Sequence, residues 1–94
     1  TNKAAVETMV KYAAAELGEK NIRVNAVSGG PIDTDALKAF PNYEEVKLEV
    51  VKRSPLSRMG DATDLTGACV FLCEENSSWL TGQTIVIDGG TSFQ

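Results

Sequence analysis

Ile22-Arg23-Val24-Asn25-Ala26-Val27-Ser28-Gly29-Gly30-Pro31-Ile32-Asp33-Thr34 is a run of strand-forming residues that breaks into a Gly-Gly-Pro loop and then a polar turn. Ile22, Val24 and Ala26 alternate with Arg23, Asn25 and Val27, so both faces are partly apolar, as in a sheet covered by helices on each side. A glycine-rich break at the carboxyl end of such a strand is where an α/β sheet places its ligand. Gly29 and Gly30 carry no Cβ and let the backbone come close to a neighbour or a bound molecule. Pro31 holds its own φ and keeps Gly30 out of helical torsions, so the chain leaves the strand in a defined direction.

Upstream of this run, Val6, Met9, Val10, Ala13, Ala14 and Leu17 recur at helical spacing, which predicts an amphipathic helix from Lys3 to Leu17 stopped by Gly18. Downstream, residues 33 to 41 read as a short or irregular helical segment. Asn42 and Glu45 have the spacing of a capping box, opening a helix over Tyr43 to Arg53 in which Glu49 and Arg53 are placed for an ion pair. Ser54-Pro55 ends that helix. Asp61 and Asp64 open a third helix whose buried stripe is Leu65, Ala68, Cys69 and Leu72, broadened by Val70 and Phe71. Gln83 to Ile87 is a second strand, closed by the Asp88-Gly89-Gly90 turn.

The order is helix, strand, helix, helix, strand. Joining two strands through helices implies a right-handed crossover and parallel pairing, hence an α/β sheet. The doubly wound form of that sheet takes about six strands, so residues 1–94 are expected to be the C-terminal part of one domain. A chain of 94 residues buries only roughly 60% of its unfolded surface, which leaves it marginal without a partner.

The net charge of −4 argues against nucleic acid and anionic membranes, which require a basic face. No apolar run reaches membrane-span length and no secretion leader is recognisable, so the expected compartment is the cytoplasm. Histidine is absent and two cysteines cannot complete a tetrahedral zinc site, so no metal is expected. Cys69 and Cys73, four apart on one helical face, are badly oriented for a disulfide and read as buried reduced thiols.

Four landmarks in one order give the chain its resemblance. Lys3-Ala4-Ala5-Val6, Ile22 to Val27, Pro55-Leu56-Ser57-Arg58-Met59-Gly60, and Thr81-Gly82-Gln83 through Asp88-Gly89-Gly90 resemble, in turn, four parts of a short-chain dehydrogenase/reductase. These are the lysine of a Tyr-x-x-x-Lys motif with its helix, the sixth strand, the segment before the last helix, and the last strand with its turn. The match runs from Thr1 to about Gly90. It implies a Rossmann-like doubly wound parallel sheet, of which this chain is a C-terminal fragment lacking the N-terminal phosphate-binding half.

Ser28-Gly29-Gly30-Pro31 departs from the family's usual Pro-Gly by placing glycine at 29. With Asp35-Ala36-Leu37 and Phe40-Pro41-Asn42, this form is similar to bacterial enoyl-acyl-carrier-protein reductases, especially the NADPH-dependent type. A 3-oxoacyl-carrier-protein reductase or a sugar-alcohol dehydrogenase shares most of the landmarks.

The resemblance implies hydride transfer from NADPH or NADH to an acyl thioester on a carrier protein, with a tyrosine as proton donor. A phenol with a pKa near 10 is a poor acid or base at neutral pH, and a nearby ammonium favours its ionised form. Lys3 takes the place of that ammonium, as catalytic residue and as ligand of the cofactor's ribose. Ile32 is implied to meet the nicotinamide carboxamide through its backbone, Thr34 to bond the carboxamide or phosphates, and Gly30 to let the chain pass close to the ring; Asp35 to Asn42 would form the substrate lid.

The tyrosine precedes the lysine by four residues in the common pattern and by seven in enoyl reductases, and either spacing falls before Thr1. Tyr12 is no substitute, since nine residues rotate it about 180° from Lys3. No Gly-x-x-x-Gly-x-Gly or Gly-x-Gly-x-x-Gly phosphate loop is present. The chain alone is therefore expected to be inactive and to hold no cofactor tightly.

Simpler roles stand beside these. Thr34 fits the N-cap of the segment it precedes, and Asn25 a strand residue whose amide bonds a neighbouring backbone. Arg58 is placed to bond backbone or an acidic side chain, without a catalytic part. Trp79 and the Asp88-Gly89-Gly90 turn read as packing and chain reversal; the resemblance implies, as the alternative, a homo-oligomer surface through the last helix and strand. A non-catalytic folding or association module, pairing through an uncovered strand edge, is the alternative of another class.

Overall fold

The structure is a computed structural model that describes residues 2–91, with the side chains of residues 2 and 3 outside what is described. Helix α1 (Asn2–Leu17) is followed by a 3-10 turn (Gly18–Lys20), strand β1 (Ala26–Gly29) and helices α2 (Asp35–Lys38), α3 (Tyr43–Arg53) and α4 (Ala62–Cys73). A second 3-10 turn (Glu75–Ser77) leads to strand β2 (Thr84–Ile87). The strands pair with each other. Ala26 N–H donates to Gln83 O at 2.9 Å and Gly30 N–H to Ile87 O at 3.1 Å, a constant offset that makes the pair parallel. The expected α/β order is present in full.

The chain divides into two compact units, one formed by residues up to Ser28 with Gly67–Ile85, the other by Gly29–Thr66 with residues from Val86 on. In the first unit, α1 stops at Leu17 before Gly18, as its sequence predicts. The left-handed residue of the stop is Asn21, at φ 60° and ψ 36°, whose N–H returns to Gly18 O at 2.9 Å. Asparagine tolerates this region because its short polar side chain bonds locally.

The ladder of β1 begins four residues later than the expected Ile22, and side-chain chemistry explains the delay. Val24 N–H donates to Thr81 Oγ1 at 3.1 Å, and Asn25 occupies both sides of the approaching turn, Nδ2 donating to Leu80 O at 2.9 Å and Oδ1 accepting from Gln83 N–H at 3.1 Å. Asn25 is thus the backbone-bonding strand residue of the simpler reading. Arg23 reaches carbonyls at the end of α4, with Nη2 2.8 Å from Leu72 O and Nη1 3.1 Å from the Oγ of buried Ser77. A cation there meets carbonyls that the ending helix leaves without intrahelical donors.

The apolar stripe of α1 is only partly covered: Val10 and Ala14 are buried, while Val6 and Met9 are exposed. On α4, Leu65, Ala68 and Leu72 are half-buried, but Cys69 and Cys73 are free and exposed rather than buried. Trp79 is 99% exposed, so the packing role expected of it is not filled by the described residues. The sequence carries more apolar surface than 94 residues can enclose, since a small chain has too much surface for its volume.

In the second unit, α3 has the predicted bounds and the predicted Glu49–Arg53 pair, at 3.8 Å between exposed side chains. The expected Asn42 cap is not made: Asn42 holds the N-cap position at φ −100° and ψ 26°, and its side chain accepts no cap bond. These torsions lie outside the extended region from which an N-cap side chain reaches back to the first turn.

Candidate functional site

The Gly29-Gly30-Pro31 break lies in the second unit and leads from β1 into an extended stretch. A Cβ at Gly30 would lie 2.5 Å from Asp88 Cβ and 2.8 Å from Asp88 Cα, so the glycine is required by the neighbouring backbone after β2. The space that sequence reasoning assigned to a passing ligand is, on this side of Gly30, filled by the protein itself. Gly89 and Gly90 follow at φ +64° and +89°, left-handed torsions that turn the chain away, with Asp88 Oδ1 accepting from Gly90 N–H at 2.9 Å. The turn expected at Asp88-Gly89-Gly90 is there.

Beyond Pro31 the chain pairs with the segment before α4. Gly60 N–H donates to Pro31 O at 3.0 Å and Asp33 N–H donates to Gly60 O at 2.8 Å, a parallel bridge that straddles Ile32. Amides alternate sides along extended backbone, so the N–H and C=O of Ile32 point away from Gly60. Both groups lack a partner among the described residues. One residue thus offers a donor and an acceptor on one edge, the complement of a primary carboxamide.

Thr34 is the N-cap of α2, at φ −112° and ψ 161°, with Oγ1 accepting from Leu37 N–H at 3.2 Å. Capping uses a lone pair and leaves the exposed hydroxyl free to donate. The capping and ligand-binding roles weighed for Thr34 are therefore compatible. Lys3 lies in the first turn of α1 by its backbone; its side chain lies outside the described residues. Tyr12 is exposed.

Asp33, between Ile32 and Thr34, has a partner that sequence reasoning missed. Tyr43 Oη, at the start of α3, lies 2.9 and 3.0 Å from the two carboxylate oxygens of Asp33. Donation to this carboxylate, helped by its negative charge, raises the phenol above its ordinary pKa of 10, and Lys47, 5.8 Å from the ring centroid, opposes the shift. The bond closes the base of the segment that carries α2. The only sequence signal was a tyrosine ten residues after an aspartate across a proline-containing loop, too weak to select a pair.

Gly60 is held from its other side. Arg58 Nη1 and Nη2 donate to the two oxygens of Asp64 at 2.8 and 2.9 Å, and Nη1 also reaches Met59 O at 3.1 Å. Asp64 Oδ2 accepts from Asp61 N–H at 2.8 Å while Asp61 Oδ1 accepts from Thr63 N–H and Asp64 N–H, so two aspartates three apart make a reciprocal cap for α4. Thr63 Oγ1 also bonds Asp61 Oδ1. The Arg58 guanidinium first, and the Asp61 amide next, hold the Asp64 carboxyl down at about 2. Arg58 bonds both backbone and an acidic side chain, the two options that its sequence left open.

A cavity of about 230 Å³ lies against Pro31, Ile32, Arg58, Gly60, Asp64 and Asp88. It is smaller than ordinary ligand pockets of roughly 300–1,000 Å³. Among the described residues there is no cluster that could hold a metal ion, and no helix is long and apolar enough to cross a membrane.

Comparison with known proteins places this arrangement in a family. Residues 1–92 match the family model described as enoyl-(acyl carrier protein) reductase. The chain is 40% identical over 90 residues to the 7alpha-hydroxysteroid dehydrogenase of Escherichia coli (strain K12), covering 96% of this chain and 35% of that enzyme. It is 40% identical over 88 residues to the NADPH enoyl-[acyl-carrier-protein] reductase FabI of Staphylococcus aureus (strain MRSA252), covering 94% and 34%. The crystal structure of a 3-oxoacyl-[acyl-carrier protein] reductase with bound NAD from Brucella melitensis superposes with a TM-score of 0.81 at 39% identity, covering 94% of this chain and 30% of that one. The chain belongs to the short-chain dehydrogenase/reductase family of NAD(P)-dependent oxidoreductases. It spans about a third of the length of the curated relatives it matches.

Proposed function

We propose that this chain supplies one wall of the nicotinamide site in a cytoplasmic enzyme that reduces the enoyl thioester of an acyl carrier protein. The observation that carries the reading is the paired, unbonded N–H and C=O of Ile32, held outward by the Pro31–Gly60–Asp33 bridge. Ile32 N–H would donate to the carboxamide oxygen and Ile32 O would accept from its amide, so the two groups would hold the carboxamide in one orientation. Thr34 donates its free hydroxyl to the carboxamide or a phosphate, and Lys3 holds the ribose and lowers the pKa of a tyrosine supplied by the rest of the enzyme. Gly30 contributes by letting the loop leave the sheet flush against Asp88. The bound nicotinamide supplies the hydride.

Enoyl reduction is favoured over 3-oxoacyl reduction by the family model and by the small residues before Gly30-Pro31-Ile32. The 94 residues alone are inactive, hold NADPH or NADH weakly, and associate in the whole enzyme through α4 and β2 into a homo-oligomer.

The complete reading frame carrying this chain, purified and supplied with crotonyl-acyl carrier protein and NADPH or NADH, is the test. Thioester-dependent loss of absorbance at the reduced-nicotinamide band is expected, and its abolition in Lys3→Met. Turnover of a 3-oxoacyl thioester in its place would move the enzyme to the alternative activity, and turnover of neither would overturn the reading. Turnover by residues 1–94 alone, well above solvent background, would refute their inactivity.

A further inference from the structure

On the reading that Ile32 faces the nicotinamide carboxamide, we propose that Arg58 is a positioning residue for that contact, acting through Asp64 and Gly60. Ile32 presents its N–H and C=O because residues on either side of it, Pro31 and Asp33, are bonded to a single residue, Gly60. The orientation of the Ile32 peptide groups is therefore no better defined than the position of Gly60.

Gly60 has no side chain with which to anchor itself, and a Cβ there would lie 2.9 Å from the terminal Cδ1 of Ile32, which would have to shift. Its flanking residues hold it. Arg58 bonds Met59 O immediately before Gly60, and Asp64 bonds Asp61 N–H immediately after it. The two anchors are joined by the two-pronged Arg58–Asp64 pair. Met59, between Arg58 and Gly60, is itself buried. Five residues run in one line of contact, from the Arg58 guanidinium to the Asp64 carboxylate to the Asp61 amide, then across Gly60 to the outward edge of Ile32.

A planar guanidinium suits this role because one fork reaches both carboxylate oxygens while a third bond goes to the Met59 carbonyl; lysine offers a point charge and loses the fixed angle. Arg58 itself touches no carboxamide in this scheme. Its removal frees Gly60 to shift and leaves the Ile32 pair misdirected, so the nicotinamide end of the cofactor loses affinity while the adenosine end keeps its own.

The test is binding by the complete reading frame, measured by calorimetry, for whichever of NADH and NADPH the wild type prefers. The matched probe is the same nucleotide without its nicotinamide, ADP-ribose or 2′-phospho-ADP-ribose. Arg58→Met is expected to weaken the reduced dinucleotide about tenfold, the size of one or two neutral hydrogen bonds, and the truncated probe by less than about twofold. Arg58→Lys falls between, and Asp64→Asn, which keeps the arginine but removes its charged partner, gives the same selective loss should Arg58→Met fail to fold. Equal weakening of both probes, or of neither, would overturn the positioning role and leave the cofactor site standing. A wild type that binds neither dinucleotide would instead remove the site on which the role depends.

Discussion

Replacement of Gly30 by alanine tests the close pairing on which the loop depends. An added methyl would sit 2.5 Å from Asp88 Cβ and 2.8 Å from Asp88 Cα, where ordinary contact is 3.4–4 Å, so the backbones must part by about 1 Å. That movement stretches the Gly30 N–Ile87 O bond from 3.1 Å beyond useful range. Losing it costs about 0.5–1.5 kcal/mol and the overpacking about 1–3 kcal/mol, so Gly30→Ala should destabilise by about 2–4 kcal/mol. Against the marginal stability expected of 94 residues without the rest of their domain, that is a large share. Urea denaturation followed by far-UV circular dichroism reads the change. Gly67→Ala is the control: a Cβ at Gly67, inside α4, meets nothing within 4 Å, and alanine should stabilise the helix by about 1 kcal/mol. A loss at Gly30 below about 0.5 kcal/mol would refute the steric reasoning, because it would mean the contact with Asp88 relaxes without cost.

Three further outcomes are expected. Asp64 has its carboxyl lowered to about 2 by Arg58, so its contribution to stability is complete above about pH 4 and is lost as pH falls through about 2; Asp64→Asn should flatten the acid-unfolding curve in that window, and an unchanged curve counts against the pair. Tyr43 should titrate above its ordinary value in ultraviolet difference spectra, and Asp33→Asn should bring it back down, since the shift comes first from donation to that carboxylate; the stability this bond lends is present below about pH 10 and lost as pH rises through the raised value. The Oγ of buried Ser54 has no hydrogen-bond partner among the described residues, so Ser54→Ala should raise the denaturation midpoint by the equivalent of about 1 kcal/mol, and a lowered midpoint would reveal a partner for the hydroxyl.

The sequence by itself determined the order and kind of the elements, because that information is local. Helical spacing marked α1 and α3, β-branched residues marked β2, and Gly18, Pro31 and Ser54-Pro55 marked where elements stop. The four landmarks also determined the family, and they singled out Ile32 and Thr34 within the loop. Tertiary structure decided what each of those residues has free to offer. Asn25 delays the β1 ladder because its amide meets the chain near Leu80, more than fifty residues away, and no local pattern encodes that meeting. Gly30 serves the approach of Asp88, and the outward edge of Ile32 exists only because Gly60 bonds the residues on both sides of it. Hydrogen-bond capacity is a property of the residue, but which donors and acceptors remain unspent is settled by the partners that folding brings, and those partners are distant in the chain.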